Sequence, residues 1–318
     1  MVSPSTSPGK LSKPKFPLFN RLLHESLSGR VPARNGNYPE CPATAPVLLC
    51  SSKTSIDDMA KETVHKEIKM AHEIHLKNNK YRQWVKAGLG LGYLKEGLAP
   101  FCDDIGNQQH KDIINQIQQT KTPQPNIPCG ACQITTLQPD HVRVSKGICP
   151  LNQDKCNCCF PSNKRPCPNN ICGAIYDSII QYHASMPPAP FWKNSDAQQW
   201  SSDPWNVCKC FINAPGYKDK TSAVDTDCTG LLHVVINNKY FHSHIGCNVT
   251  GPNNLFSKVR QYRNEIFHSS TMELEESKAN SYIDDMIAVL QDGKELVHRQ
   301  DAQEAVGKLQ DVSVHNKL

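Results

Sequence analysis

The chain has 318 residues and a mass of 35.5 kDa, with 38% hydrophobic and 20% charged residues, room for one large domain or two modest ones with flexible ends. Its formal net charge of +5 comes entirely from residues 1–55, where seven Lys/Arg face only Glu25 and Glu40. The remainder is formally neutral, which excludes a strongly basic domain that coats nucleic acid.

Residues 1–54 hold eight of the 23 prolines among scattered Ser, Gly and basic residues. Such a segment buries too little apolar surface to offset its ordering entropy, and a disordered tail is expected there. Helix signals begin at Ser55, where Ser55-Ile56-Asp57-Asp58 offers an N-cap and an acidic first turn for a charged helix reaching about Asn79. A stronger helix follows, because Trp84, Gly88, Leu91, Leu94 and Leu98 recur at three- and four-residue steps. Its glycines are intrinsically unfavourable and fit best where another helix packs closely. Ile113, Ile114 and Ile117 mark a further short helix over 107–119.

From Thr122 to Ser202 Pro, Asn and Cys dominate, and one helix, Ala174 to Tyr182, stands out through Ile175, Ile179 and Tyr182. This stretch is expected to be a loop-rich insertion. Asp203-Pro204-Trp205 then reads as an N-cap followed by proline in the first turn. Leu231, Leu232, Val235 and Ile236 predict a helix within 225–240, although their β-branched members leave a strand open. Leu255, Val259, Tyr262 and Ile266 form one stripe opened by Pro252-Asn253. Ser270-Thr271-Met272-Glu273 then has the form of a capping box, and Ala279, Tyr282, Ile283, Met286, Ile287 and Leu290 repeat at helical spacing up to Gly293. Residues 294–318 are polar and weakly helical, and a tail is expected there. No apolar run approaches the ~18–20 residues of a membrane span, and the N-terminus is too polar and too broken by proline for a signal peptide. An intracellular protein, cytoplasmic or nuclear, with no membrane partner is expected, and no nucleotide cofactor is evident.

The segment Arg263-Asn264-Glu265-Ile266-Phe267-His268 ends the penultimate helix. At ~100° per residue, Asn264 and His268 point away from the core stripe and Arg263 lies at its border. A histidine titrating near ~6.5 can exchange a proton at neutral pH, and an arginine fork can hold a phosphate, a pairing suited to phosphodiester chemistry. The alternative use is a solvated helix end. In this setting the motif, followed by His-Ser-Ser and a second amphipathic helix, resembles the HEPN superfamily (higher eukaryote and prokaryote nucleotide-binding). Tyr81 to Gly88 (YRQWVKAG), Asp203 to Val207 (DPWNV) and Arg260 to Ser270 (RQYRNEIFHSS) resemble blocks of an animal family with a human member encoded on the X chromosome. The resemblance implies an all-α HEPN-like bundle over 55–293 that commonly forms a homodimer, with RNA as partner. In catalytic members the motif serves metal-independent endoribonuclease cleavage, which puts Arg263 on the phosphate, His268 as acid/base and Asn264 orienting the pair.

Eight of the fifteen cysteines fall inside the 44 residues from Cys129 to Cys172. In a reducing compartment such clustering points first to structural Zn²⁺, four thiolates per tetrahedral ion. One ligand set is Cys149, Cys156, Cys167 and Cys172, whose ten-residue central spacer and position before a helix resemble the related family's pattern. A competing set joins the short pairs Cys129–Cys132 and Cys156–Cys159. If all eight cysteines serve two sites, Cys129, Cys132, Cys158 and Cys159 form the second, with His141 and His183 as spare donors. Trp192, Trp200 and Trp205 are expected to anchor the insertion, and Cys208, Cys210, Cys228 and Cys247 to act as small buried hydrophobes.

Overall fold

The computed structural model describes residues 77–121, 129–144, 147–251 and 253–314. The expected N-terminal tail and nearly all of the helix expected from Ser55 lie outside the described residues. In chain order the helices are α1 (Asn79–Thr120), α2 (Cys172–Tyr182), α3 (Pro204–Cys208), α4 (Cys228–Asn237), α5 (Lys239–His242), α6 (Leu255–His268), α7 (Glu276–Leu290) and α8 (Gln300–Val314). Only isolated bridges, and no strand, occur among the described residues.

The long α1 is the spine. The two helices expected at 84–98 and 107–119 are one helix of 42 residues, capped by the Asn78 side chain and ~63 Å long at 1.5 Å per residue. Pro100 sits inside it and forfeits one backbone hydrogen bond. Leu98, Ala99, Phe101, Cys102 and Ile105 are all buried around that point, and this packing carries the helix through the gap.

Against the N-terminal half of α1 lie α7 and α8. Gly90 and Gly97 face them directly: a Cβ on Gly90 would fall 2.5 Å from Ile283 Cδ1, and one on Gly97 3.0 Å from Ala305 Cβ. The close helix packing expected of these glycines is thus realised at Gly90, whereas Gly88 has open space. The segment 294–318, expected as a polar tail, instead contributes α8, which buries Ala302, Ala305, Val306 and Leu309. Its last turn is held by Lys86, whose Nζ donates to Ser313 O at 3.0 Å and to Asn280 Oδ1 at 2.9 Å, a cation placed at the negative end of a helix. Burial lowers the Lys86 pKa.

The α6–α7 hairpin is zipped by Tyr262 stacked on Tyr282, with ring centroids 3.8 Å apart. Trp84 Nε1 donates to Ile266 O at 2.7 Å and ties α1 to α6. The expected capping box at 270–273 does not form. Glu273 accepts from Asn78 Nδ2 at 2.8 Å, Met272 takes φ 52°, and α7 starts only at Glu276. It also ends at Leu290, three residues before Gly293.

The ambiguous 225–240 segment is the helix α4, capped by Asp227 accepting from Gly230 N. It is buried on nearly every side, so its β-branched residues gain packing that outweighs their weak helix propensity. As expected, Asp203 caps α3, accepting from Trp205 N and Asn206 N. Gln109 of α1 and Asn238 exchange side-chain hydrogen bonds of 3.1 and 2.7 Å inside the core.

The insertion has its own core. Ile113, Ile114 and Ile117 at the C-terminal end of α1 pack there with Leu137, Ile171, Ile175, Tyr176, Ile179, Trp200 and Phe211. The tryptophans act as anchors: Trp200 is fully buried and donates to Ser195 Oγ, and Trp192 stacks on Tyr176 at 4.6 Å. Cys208, Cys210 and Cys228 are buried as expected, and Cys247 is half-buried.

Candidate metal centres

The chain around α2 makes tight, cysteine-bearing turns. Cys129-Gly130-Ala131-Cys132 turns through Gly130 at φ 68°, and Cys167 to Cys172 turns through Asn170 at φ 55°. Both conformations lie in the left-handed region that glycine and asparagine tolerate best. Asn170 N donates back to Cys167 O at 3.0 Å, closing the second turn just before α2. Nearby, the Asn157 side chain donates to Ile134 O and Leu137 O, and Asp140 pairs with Lys121 at the end of α1.

These turns bring the donors into two groups of four, and each could hold a metal ion. The first is Cys129, Cys132, Cys167 and Cys172; the second is His141, Cys149, Cys156 and Cys158; within each group the donor atoms all lie within 4.8 Å of one another. The thiols are free, with no disulfide among the described cysteines. In the first group Cys129 Sγ is 3.4 Å from Cys132 Sγ and 3.6 Å from Cys167 Sγ. In the second, His141 Nε2 is 3.4 Å from both Cys149 Sγ and Cys156 Sγ.

This partition differs from both sets expected from sequence. Cys149 and Cys156 do not join Cys167 and Cys172, and Cys158 and Cys159 do not join Cys129 and Cys132. The second group lies wholly within the loop that the first one closes, and spacing alone cannot distinguish such nesting from neighbouring pairs. Cys159 remains outside both groups, its Sγ 3.8 Å from that of Cys158. His141 takes the vacated place. Its partner is Asp177 on α2, whose Oδ1 is 2.7 Å from His141 Nδ1 and whose Oδ2 accepts from His141 N at 2.8 Å. A histidine followed by cysteines 8, 15 and 17 residues later was the available signal. His183 is fully buried elsewhere, stacked on Phe211.

Protons and thiolates compete in both groups. Burial disfavours the His141 cation, but hydrogen bonds to Asp177 and Cys156 outweigh it and hold the ring up to about 10. Burial would raise Cys156, yet the His141 contact draws it down to about 7. Hydrogen bonds with Cys132 and Cys172 drive Cys167 well below the ordinary thiol range, while Cys132 and Cys172 move up in return. In the first group the charge therefore falls on Cys167 while Cys132 and Cys172 keep their protons, and a bound cation would displace those protons.

The other candidate residues sit at the end of α6. Asn264 and His268 are exposed and Arg263 is half-buried. The Arg263 guanidinium lies 3.5 Å from Asp227 Oδ2 and 3.4 Å from Asn264 Oδ1, and 5.2 Å over the Phe267 ring. The His268 side chain makes no hydrogen bond or ion pair among the described residues. Five residues apart, Arg263 and His268 leave the helix ~140° from each other, and the arginine turns toward the N-cap of α4.

No helix among the described residues is long and apolar enough to cross a membrane. Comparison with curated proteins and with solved structures gives no match. A family model, in contrast, matches residues 143–316, from just before Cys149 through α8, and the chain therefore belongs to the family described as Domain of unknown function (DUF4559).

Proposed function

We propose that the protein is a non-catalytic helical interaction module whose cysteine-rich part is ordered by two structural Zn²⁺ ions. The observation that carries the metal-binding part of this reading is the pair of four-donor groups. A tetrahedral Zn²⁺ with Zn–S near ~2.3 Å sets its sulfurs ~3.8 Å apart and a sulfur and imidazole nitrogen ~3.5 Å apart. The contacts of 3.4 to 3.6 Å within the two groups fall close to those separations. Thiolate and imidazole donors favour Zn²⁺ over Mg²⁺ or Ca²⁺, which take oxygen. Four protein donors fill the coordination sphere, so the ion supplies structure and leaves no open position for chemistry. Protein purified in reducing buffer without chelator is expected to carry two equivalents of zinc by elemental analysis. Cys167→Ala and Cys156→Ala should each remove one equivalent, and near-zero metal in the wild type would overturn the reading.

A second reading is HEPN-like RNA binding with metal-independent cleavage by a homodimer. It is favoured by the exposed positions of His268 and Asn264 at the end of α6, with Asn264 Oδ1 3.4 Å from the Arg263 guanidinium. An acid/base group contributes ~10²–10⁴-fold, so cleavage without added divalent cation should fall by that factor in His268→Ala. Equal rates in variant and wild type eliminate this reading.

A further inference from the structure

The two centres share a wall. Cys172, a donor of the first, is the first residue of α2. One turn later the same helix presents Tyr176 and Asp177 to the second. Tyr176 Oη lies 3.8 Å from Cys156 Sγ and donates to Gln153 Oε1 at 3.0 Å. Asp177 clamps His141 twice, through the backbone N–H and through Nδ1. With Nδ1 held by the carboxylate, Nε2 is the nitrogen left facing Cys149 and Cys156, the orientation and tautomer a metal-binding histidine needs.

The helix is also rigidly set against the segment that carries His141. A Cβ on Gly173 would fall 2.5 Å from Asp140 Oδ1 and 2.9 Å from Gln138 O, so α2 and residues 138–140 are in near contact. A backbone bridge joins Leu137 to Arg165, two residues before Cys167. Whatever fixes the first turn of α2 therefore fixes the clamp on His141.

We propose that the two centres load cooperatively, with α2 as the shared element and Asp177 as the positioning residue that transmits occupancy of the first centre to His141. This rests on the metal-binding reading above. Chain connectivity alone supplies a small part of the coupling. The loop from Cys132 to Cys167 contains the whole second group, and pinning Cys158 to His141 roughly halves its free length, worth ~3-fold. The geometry of α2 adds to that, and a coupling of at least ~10-fold is expected, within the usual range for linked sites.

The test uses the full-length chain, freed of metal under reducing conditions and titrated with Co²⁺, whose absorption distinguishes a four-sulfur site from one with three sulfurs and a nitrogen. In the wild type both signatures should rise together to two equivalents. Cys129→Ala removes the first centre without touching α2, and should weaken the second by at least ~10-fold. Linkage is reciprocal, so Cys149→Ala should weaken the first centre by the same factor. Asp177→Asn should weaken the second centre by ~10–100-fold and reduce the coupling to the ~3-fold of loop closure. Its four-sulfur spectrum should stay unchanged, and Asp177→Glu should restore part of the loss. Two equivalents bound with a coupling of ~3-fold or less, or an Asp177→Asn protein with undiminished coupling, would overturn the proposal while leaving the metal reading intact. A wild type that binds no Co²⁺ would overturn both.

Discussion

His183 and His233 are histidines that the fold holds neutral. Ser185 N donates to His183 Nδ1 at 3.2 Å, so Nε2 carries the proton, and it is buried without a partner. Burial lowers His183 to about 4, helped by Lys239. His233 accepts from Arg260 at 3.1 Å, and burial together with that arginine lowers it to about 4 as well. An unfolded chain protonates these rings near ~6.5, well before the folded one does. The stabilisation is therefore complete above ~6.5 and is lost as pH falls from there toward about 4. Urea midpoints measured across that window should fall with acidification, and His183→Gln should flatten the slope; the difference between the two curves isolates one imidazole from the metal ligands that also titrate. Parallel curves would show that His183 is protonated without resistance. At this scale the sequence displayed residue types but not partners. His141 gains its role from Asp177, 36 residues away, and its place in a ligand set could not be read before α2 and the 138–141 segment were brought together. Arg263 and His268 were legible as a motif, yet the arginine's engagement with Asp227 depends on how α4 docks on α6.

Among the elements, α1 shows how far hydrophobic periodicity carries. Its stripe before Pro100 and its isoleucines after Ile113 were both visible. The stretch between them was not, because Pro100 and Gly106 are breakers by propensity and only tertiary packing overrides them. The same packing separates two glycines of similar sequence context. Gly88 is buried, but a methyl added there would have nothing within 4 Å, whereas a methyl on Gly97 would meet Leu290 Cδ2 at 2.7 Å and Ala305 Cβ at 3.0 Å. Gly88→Ala is expected to stabilise by ~0.5–1 kcal/mol through helix propensity, and Gly97→Ala to destabilise by ~1–3 kcal/mol through overpacking against α7 and α8. Chemical denaturation of the two variants measures both, and a stabilising Gly97→Ala would mean that α8 is not docked there. The helix α8 escaped sequence reading because its inward stripe, Ala302, Ala305, Val306 and Leu309, is made mostly of small residues in a polar background. The family match running to residue 316 agrees with a fold that continues through it.

On the scale of the whole molecule, two cores of different physical origin share one spine. Around residues 84–98, α1 is held by α7 and α8 through apolar side chains that need no ion. Around Ile113 to Ile117 it borders a module whose turns place eight sulfur and nitrogen donors in two compact groups. That module does have an apolar core of its own, in Ile171, Ile175, Tyr176, Ile179 and Trp200, but the segments 129–144 and 147–167 contain no helix longer than a single 3₁₀ turn. Their backbone is held by turns, by the Leu137–Arg165 bridge and by the Asn157 side chain, and on the proposed metal-binding reading by the ions as well. Removing metal should then act locally. After treatment with a strong chelator in reducing buffer, hydrogen exchange is expected to accelerate by orders of magnitude through 129–172 and at the first turn of α2. The amides of α1 from Trp84 to Leu98 and those of α7 should keep their protection, because their hydrogen bonds are shielded by a core that contains none of the donor groups. Restoring Zn²⁺ should restore the slow exchange. If chelation instead released α7 and α8 to the same degree, the two cores would be one cooperative unit, with the ions stabilising the bundle through the continuous backbone of α1. If it changed nothing, burial of the isoleucines and tryptophans alone would suffice to order the cysteine turns, and the donor groups would need a purpose other than structure.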